Sequence, residues 1–509
     1  MSKNGLTREE NRKAWLYAFL IVLGMGAVAA LLVWSRSWNM TPVELRETNP
    51  LVTEAARGLD EITVDASFDP VARTLAVEQR MTLYNRTGET LPQAVVRSWT
   101  GAYLAGETSP CTTNELYWSC YPEGFDPGGP ALESLAVNGQ AVEAQWLDDA
   151  QTALSLTVEG GWAPEASVTL AMDYRVDIPR CASRFGETEG IWALGNVFML
   201  PALYEDGAWR TEAYLSVGDP FQSACANWTV RLTLPQGYTA AASGWGEALR
   251  VGDVQTVTFE SEAVRDFALV ISDGFQMAQG MAGDTLVTAY ARDAGKAREM
   301  VKYAQQALET FGESYGTYLY PSLTLAEVDF PFGGMEYPRM VMMGSSLVEA
   351  GGQDLELTVA HEVAHQWWYA MVGSDSYYQP WQDESLCEYA VMDYVGQWYG
   401  AQAREDFRVQ RVEAALRTGT AQTVTPGSPI DYFANLEEYT LVCYRRGAAL
   451  WTALELALGK EQLDGFLRTY VETYRFGRAT REDLTRLLTD YTGQDWSALM
   501  SDYLDTRMN

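Results

Sequence analysis

Histidine is almost missing from this sequence, with 2 residues in 509. A chain that used imidazole for general surface or core purposes would scatter it, so that use is excluded. Basic residues are also short, since 36 Lys and Arg face 68 Asp and Glu, for a net charge of −32. That balance disfavours nucleic-acid binding, which needs a basic face to neutralise phosphate. It equally disfavours adhesion to an anionic lipid surface by charge. The acidic field steers cationic peptides and free amino termini only weakly, and its plainer meaning is solubility. Cysteine is sparse, at Cys111, Cys120, Cys181, Cys225, Cys387 and Cys443. An even number permits disulfides in an oxidising compartment. Cys111 and Cys120 share a loop-like stretch rich in Thr, Asn, Gly and Pro, so a local bridge there is the first expectation.

Long apolar runs are absent but for one. Residues 15–34, WLYAFLIVLGMGAVAALLVW, carry no charge, and about 20 helical residues span a hydrocarbon core. Trp15 and Trp34 bracket the run as interfacial aromatics do. Lys3, Arg8, Arg12 and Lys13 precede it and only Arg36 follows closely, which places the N-terminus in the cytosol and the rest outside. Ala27-Val28-Ala29 mimics a signal-peptidase site but lies within the apolar run. The expectation is therefore a cytoplasmic tail (1–14), an uncleaved single-pass signal anchor (15–34) in the cell membrane, and a polar tether (35–55) with Pro42 and Pro50. Sequons at Asn39, Asn85 and Asn227 matter only in a glycosylating host.

From 56 to 275 the pattern is strands and turns. Ile62–Ala66 and Leu75–Leu83 alternate apolar and polar residues, and Asn85-Arg86-Thr87-Gly88 makes a turn. Similar runs near 153–157, 167–175, 228–234, 256–260 and 267–272 predict an antiparallel sandwich or saddle-shaped sheet. No catalytic constellation occurs there. From 276 to 509 the chain changes character. Met300, Val301, Ala304, Leu308 and Phe311 have helical spacing, and strands are predicted at 323–328 and 340–343. Further helices are predicted at 401–418, 440–457, 461–475, 480–490 and 495–506.

The two histidines are His361 and His365, in His361-Glu362-Val363-Ala364-His365. On a helix, positions four apart share a face, so both imidazoles can meet one metal ion. Glu362 lies about 100° round the same turn, where it can hold a metal-bound water. A helix from Asp354, as N-cap, to Val372 is predicted, broken at Gly373-Ser374-Asp375-Ser376. Two histidines make half a zinc site. Glu384 follows His365 after 18 intervening residues, enough chain for a turn and the start of a second helix near Trp381. Upstream, Gly333 and Gly334 allow close backbone approach to a ligand, and Glu336 could receive an ammonium group through a charge-assisted hydrogen bond.

His-Glu-x-x-His, 18 residues, then Glu resembles the zinc signature of the aminopeptidase N family of gluzincin peptidases, which includes the leukotriene-hydrolase branch. Gln366-Trp367 continues the resemblance. Gly333-Gly334-Met335-Glu336-Tyr337 is similar to the family's GxMEN exopeptidase motif, and Tyr444-Arg445-Arg446-Gly447-Ala448 to its catalytic-tyrosine motif. Tyr439 stands where several members carry a second active-site tyrosine. The resemblance is specific over residues 330–450 and loose over most of 55–509. It implies an α+β protein: a membrane anchor, a β-sandwich or saddle domain, then a thermolysin-like, mainly helical catalytic domain with a small sheet. The large C-terminal superhelical domain of many members is not expected.

The resemblance further implies one Zn²⁺ held by His361, His365 and Glu384, with Glu362 as general base and Tyr444 as oxyanion donor. Glu336 is implied to fix the free amino terminus of a peptide substrate, with Gly333, Gly334, Met335 and Tyr439 completing the substrate site. The family fold brings the elements of Cys387 and Cys443 together, leaving a bridge or two buried thiols as alternatives. Tyr337, Ser385 and Arg446 depart from the family's Asn, Gly and common Lys. A thermolysin-type endopeptidase and an inactive, membrane-tethered peptide-binding module are the competing readings.

Overall fold

A computed structural model describes residues 48–111, 116–143, 145–420 and 423–506. The run expected to cross the membrane, the tail before it and most of the tether lie outside the described residues. Among the described residues, no helix is long and apolar enough to cross a membrane.

The first half is rich in β-structure because its apolar residues recur with period two. In Asp60–Asp69 the residues Ile62, Val64, Ala66 and Phe68 are buried, and in Thr74–Tyr84 so are Leu75, Val77, Met81 and Leu83. Alternation of this kind lays one face of a sheet on a core and gives the other to solvent. These strands lie at the centre of an eight-stranded sheet. Its neighbours pair antiparallel except Asp60–Asp69 with Ala226–Pro235, which run parallel. A parallel pair needs a long crossover, and the intervening chain builds one further four-stranded sheet and contributes two strands to another. The former, through Leu91–Arg97 and Ala153–Trp162, adds Leu91, Ala94, Val96, Leu154 and Leu156 to the same core. Asn85, a sequon residue, is buried, and its amide donates to Glu89 O and Trp162 O. It therefore serves the fold and presents no nitrogen for a glycan.

Gln276–Ala282 opens a five-stranded sheet, and the chain becomes mainly helical after it. Ser322–Val328 is buried along its whole length and runs parallel to both Thr285–Ala291 and Met340–Gly344. The short edge strand Gly334–Met335 pairs antiparallel with Met340–Gly344. Asp293 caps the helix Ala294–Tyr315 by accepting from the Gly295 and Lys296 amides, as a carboxylate does for the orphan donors of a first turn. Met300, Val301, Ala304, Leu308 and Phe311 face the core, as the spacing predicts.

The histidine helix is shorter than the sequence pattern suggests. It spans Gly352–Ala364, starting ahead of Asp354 and stopping well before Val372. Its last turn tightens, with the Gln366 amide donating to Val363 O and the Trp367 amide to Ala364 O. Tyr369 then takes φ 127°. The early stop lets Trp367 pack on Phe311 and Trp368 on Tyr315, both fully buried. The glutamate helix spans Trp381–Tyr399 and is buried from Trp381 to Val395. The predicted helices at 401–418 and 440–457 each contain a π-helical stretch, Arg408–Glu413 and Thr440–Arg446. Such wide turns occur mostly as single insertions, often at functional sites.

Candidate active site

The sequence places the two histidines one turn apart, and the fold supplies the third group. His361 Nε2 lies 3.2 Å from His365 Nε2 and 3.3 Å from Glu384 Oε2. His365 Nε2 is also 3.3 Å from Glu384 Oε2. Donors about 2.0–2.1 Å from a tetrahedral zinc ion stand about 3.3 Å apart. The three sides of this triangle match that spacing, and the donor set is one zinc accepts, so the residues present fit the ion.

The surroundings hold each donor in place. His365 Nδ1 lies 3.0 Å from Trp368 O. That carbonyl is free because the helix has already ended, and a hydrogen bond to Nδ1–H leaves the Nε2 lone pair aimed at the triangle. The His361 ring stacks on Tyr444, with centroids 5.3 Å apart and planes 7° off parallel. Glu384 receives the Tyr444 hydroxyl on Oε1 at 2.6 Å, leaving Oε2 for the histidines. Burial pushes its carboxyl up, but hydrogen bonds from His361 and His365 outweigh it and hold the group at about 2. Asp383 Oδ1 accepts the Glu384 amide at 2.8 Å.

Glu362 is buried, and its Oε2 has no hydrogen-bond partner. Burial first and the nearby Glu336 second push its carboxyl well above the usual range. Carboxylate oxygens of Glu336 and Glu362 and a ring nitrogen of His365 all lie within 4.8 Å of one another. The edge strand passes over Glu362 so closely that a Cβ on Gly334 would stand 2.3 Å from Oε1 and 2.4 Å from Cγ and Cδ. A Cβ fits there only if the Glu362 carboxylate moves aside. Gly333 is less confined, with a Cβ meeting Thr358 Cγ2 at 3.3 Å. Glu336 is buried, and burial is the main force raising its carboxyl, with His365 and Arg184 pulling it down and Glu384 pushing it up. Met335 is buried beside it.

Tyr439 and Tyr444 are five residues apart, which on an α-helix would separate them by about 140°. The π turn brings them together, with ring centroids 5.5 Å apart at 79°. Gly218, at φ 70°, admits the Tyr439 ring, which a Cβ would meet at 3.3 Å. Both tyrosines line a cleft of about 500 Å³ that also exposes Gly333, Gly334, Glu336, His361, Glu362 and His365.

Two cleft residues come from the β domain and went unnoticed in the sequence. Arg184 Nη2 pairs with Asp219 Oδ1 at 2.6 Å beside Glu336. Burial pushes Asp219 to about 7 despite Arg184, with Glu336 and Glu384 adding to the rise. Neither residue sits in a motif, and the Gly218-Asp219-Pro220 turn was the only available hint. Arg411 and Glu388 also line the cleft, with Arg411 Nε donating to Glu388 Oε1 at 3.1 Å.

The three departures from the family pattern point away from the cleft. The Tyr337 hydroxyl donates to Asn196 Oδ1 at 2.7 Å, tying the edge strand to the β domain. Ser385 Oγ accepts from Trp451 Nε1 at 2.8 Å. Arg446 is buried and donates from Nε to Ala415 O at 3.0 Å, holding the neighbouring helix end.

The cysteine expectation needs correction. All six are buried free thiols, and Cys111 and Cys120 do not form a local pair. Cys181, from the loop between the strands Ser167–Asp177 and Phe185–Thr188, joins them in one cluster. Cys387 and Cys443 are likewise unbridged.

Comparisons with known proteins agree with this geometry. Residues 299–503 match the peptidase family M1 domain. Leukotriene A-4 hydrolase of Xenopus laevis is 27% identical over 203 residues, covering 38% of this chain and 32% of that protein. Aminopeptidase N of Lactobacillus delbrueckii subsp. lactis is 24% identical over 401 residues, covering 74% of this chain and 46% of that protein. The chain thus spans less than half the length of these relatives. The fold is similar to a mutant M1 zinc metallopeptidase from Deinococcus radiodurans, with a TM-score of 0.66 at 16% identity, covering 89% of this chain and 96% of that one. The same enzyme bound to a Tyr-Ser-Ala substrate gives a TM-score of 0.62 at 17% identity, over 88% and 95% of the two chains. The fold is therefore the two-domain M1 arrangement, a β-rich domain followed by a helical catalytic domain, and the matched M1 domain, the aminopeptidase N relatives and the structural neighbours together support the aminopeptidase N family of zinc metallopeptidases.

Proposed function

We propose that this protein removes the N-terminal residue from peptides by zinc-assisted hydrolysis. The observation that carries the reading is a buried concentration of negative charge. Glu336, Glu362, Glu384, Asp383 and Asp219 crowd one end of the cleft, and neighbouring carboxylates push several of them up. Buried carboxylates demand cations. A divalent ion at His361, His365 and Glu384 satisfies part of the demand, and a substrate ammonium at Glu336 satisfies more.

Zinc bound at the triangle supplies a water of lowered pKa, about 7 in known sites, and polarises a carbonyl. The protein's own groups do the rest. Glu362 Oε2, unpartnered and close to His365, takes the proton of the attacking water and passes it to the leaving amine. The Tyr444 hydroxyl, poised on Glu384, donates to the scissile carbonyl oxygen as charge develops there. Glu336 receives the free amino terminus, so the bond cut is the first one. Tyr439 and the Gly333-Gly334 edge shape the channel in which the substrate lies. Arg184 and Asp219 add a paired cation and anion to the cleft wall beside Glu336.

We further propose that residues 15–34 anchor the enzyme in the cell membrane, with the catalytic part outside. The uncharged run, its flanking tryptophans and the preceding basic residues support that placement.

The test uses fluorogenic aminoacyl substrates beside their N-acetylated twins, with chelator and with zinc restored. Cleavage of free-amine substrates alone, lost with chelator and regained with Zn²⁺, is the expected result. Equal cleavage of the blocked twins would reject the amine clamp in favour of an endopeptidase. No cleavage by zinc-replete protein would favour a binding module.

A further inference from the structure

The β domain holds a second convergence of metal-binding side chains, sharing no residue with the histidine site. Sulfurs of Cys111, Cys120 and Cys181 all lie within 4.8 Å of one another, and all three residues are buried. Each thiol is within hydrogen-bonding reach of the other two. We propose that these three cysteines bind a thiophilic divalent cation, with Zn²⁺ the expected occupant.

The geometry suits it. Zinc–sulfur bonds of about 2.3 Å set sulfurs about 3.8–4.0 Å apart. Thiols that serve as small core hydrophobes pack against hydrocarbon. These border the hydrophobic core too, but their sulfurs also face one another and neighbouring hydroxyl groups. Ser183 Oγ is 3.3 Å from Cys111 Sγ, and Tyr103 OH is 3.0 Å from Ser183 Oγ. Tyr121 reaches the Cys181 sulfur, and its hydroxyl is 2.9 Å from Ser109 Oγ. Hydroxyls around sulfur are the partners a bound thiolate needs, and they orient it. Binding forms three sulfur–metal bonds and releases three thiol protons to solvent, with no change of oxidation state. Ser183 Oγ or a water completes four donors.

The fold shows what such a site would fasten. The Ala182 amide donates to Cys120 O at 2.8 Å, so the two segments already touch. Gly186 folds so tightly over this point that a Cβ would stand 2.1 Å from Cys181 O. Arg184, three residues after Cys181, reaches the peptidase cleft. A metal at the thiols therefore fixes the segment that delivers Arg184.

The experiment takes the full chain, purified under a mild thiol reductant. Elemental analysis is expected to find one ion beyond that of the histidine site, absent in Cys181→Ser. Cobalt exchange of the unmodified protein is the second measurement, independent of any variant's folding. It is expected to give thiolate-to-cobalt charge-transfer absorption, which His361, His365 and Glu384 cannot produce because they carry no sulfur. A single ion per chain without that absorption would overturn the proposal. So would a thiol titration of the denatured protein showing a disulfide among the three. An inactive protein that still carries the extra ion would reject the function proposed above and leave this site standing.

Discussion

Gly334→Ala puts the arrangement of the site under direct strain. The added Cβ would stand 2.3–2.4 Å from the Glu362 carboxylate, where ordinary contacts begin at 3.4 Å. The overlap is thus about 1 Å, and a misplacement of that size at a reacting group costs on the order of 10²-fold in rate. That is about 2.7 kcal/mol in the barrier. The atoms it meets belong to a side chain that can swing aside, so the fold should absorb the change. The Glu362 carboxylate cannot swing and still serve as base. The assay is kcat and KM on a free-amine aminoacyl substrate, with zinc content and Tm measured on the same sample. The expected result is kcat down about 100-fold, KM little changed, zinc retained and Tm nearly unmoved. A well-folded Gly334→Ala enzyme with full kcat would refute the proposed role of Glu362.

Tyr444→Phe should lower kcat by roughly 10²–10³-fold with little effect on KM, since it removes one oxyanion donor; steady-state kinetics decide it. The acid limb of kcat/KM should respond to the Glu336 charge, because burial first and Glu336 second raise Glu362 and the base works only when ionised. In Glu336→Gln the residual activity should show that limb moved to lower pH, and an unmoved limb would count against Glu362 as the titrating group. Ser385→Ala should cost about 1–3 kcal/mol of stability by orphaning Trp451 Nε1, read by denaturant melts, while activity per folded molecule stays unchanged.

The zinc triangle was legible in the sequence for a physical reason. Two of its three donors, His361 and His365, sit one helical turn apart, so spacing alone puts them on one face. Glu384 and Tyr444 needed the family pattern, because their approach depends on helix packing that no local period encodes. The strand alternation of Asp60–Asp69 and Thr74–Tyr84 was equally readable, since a half-buried strand writes its burial into every second residue. Other features were not readable. The histidine helix stops at Ala364 because Trp367 and Trp368 must reach different partners, a tertiary demand that overrides continuing helical spacing. The π turn at Thr440–Arg446 leaves no compositional mark, though it sets Tyr439 against Tyr444. Arg184, Asp219 and Cys181 join their clusters from distant loops of the β domain, where only the fold shows what they meet.

The central claim is that Glu336 selects a free amino terminus at a zinc site. The most direct measurement is mass spectrometry of one defined peptide and its N-acetylated twin during digestion by the zinc-loaded protein. The account predicts a ladder from the free peptide, shortened one residue at a time from its N-terminus, and an intact blocked peptide. Internal fragments from both peptides would contradict it.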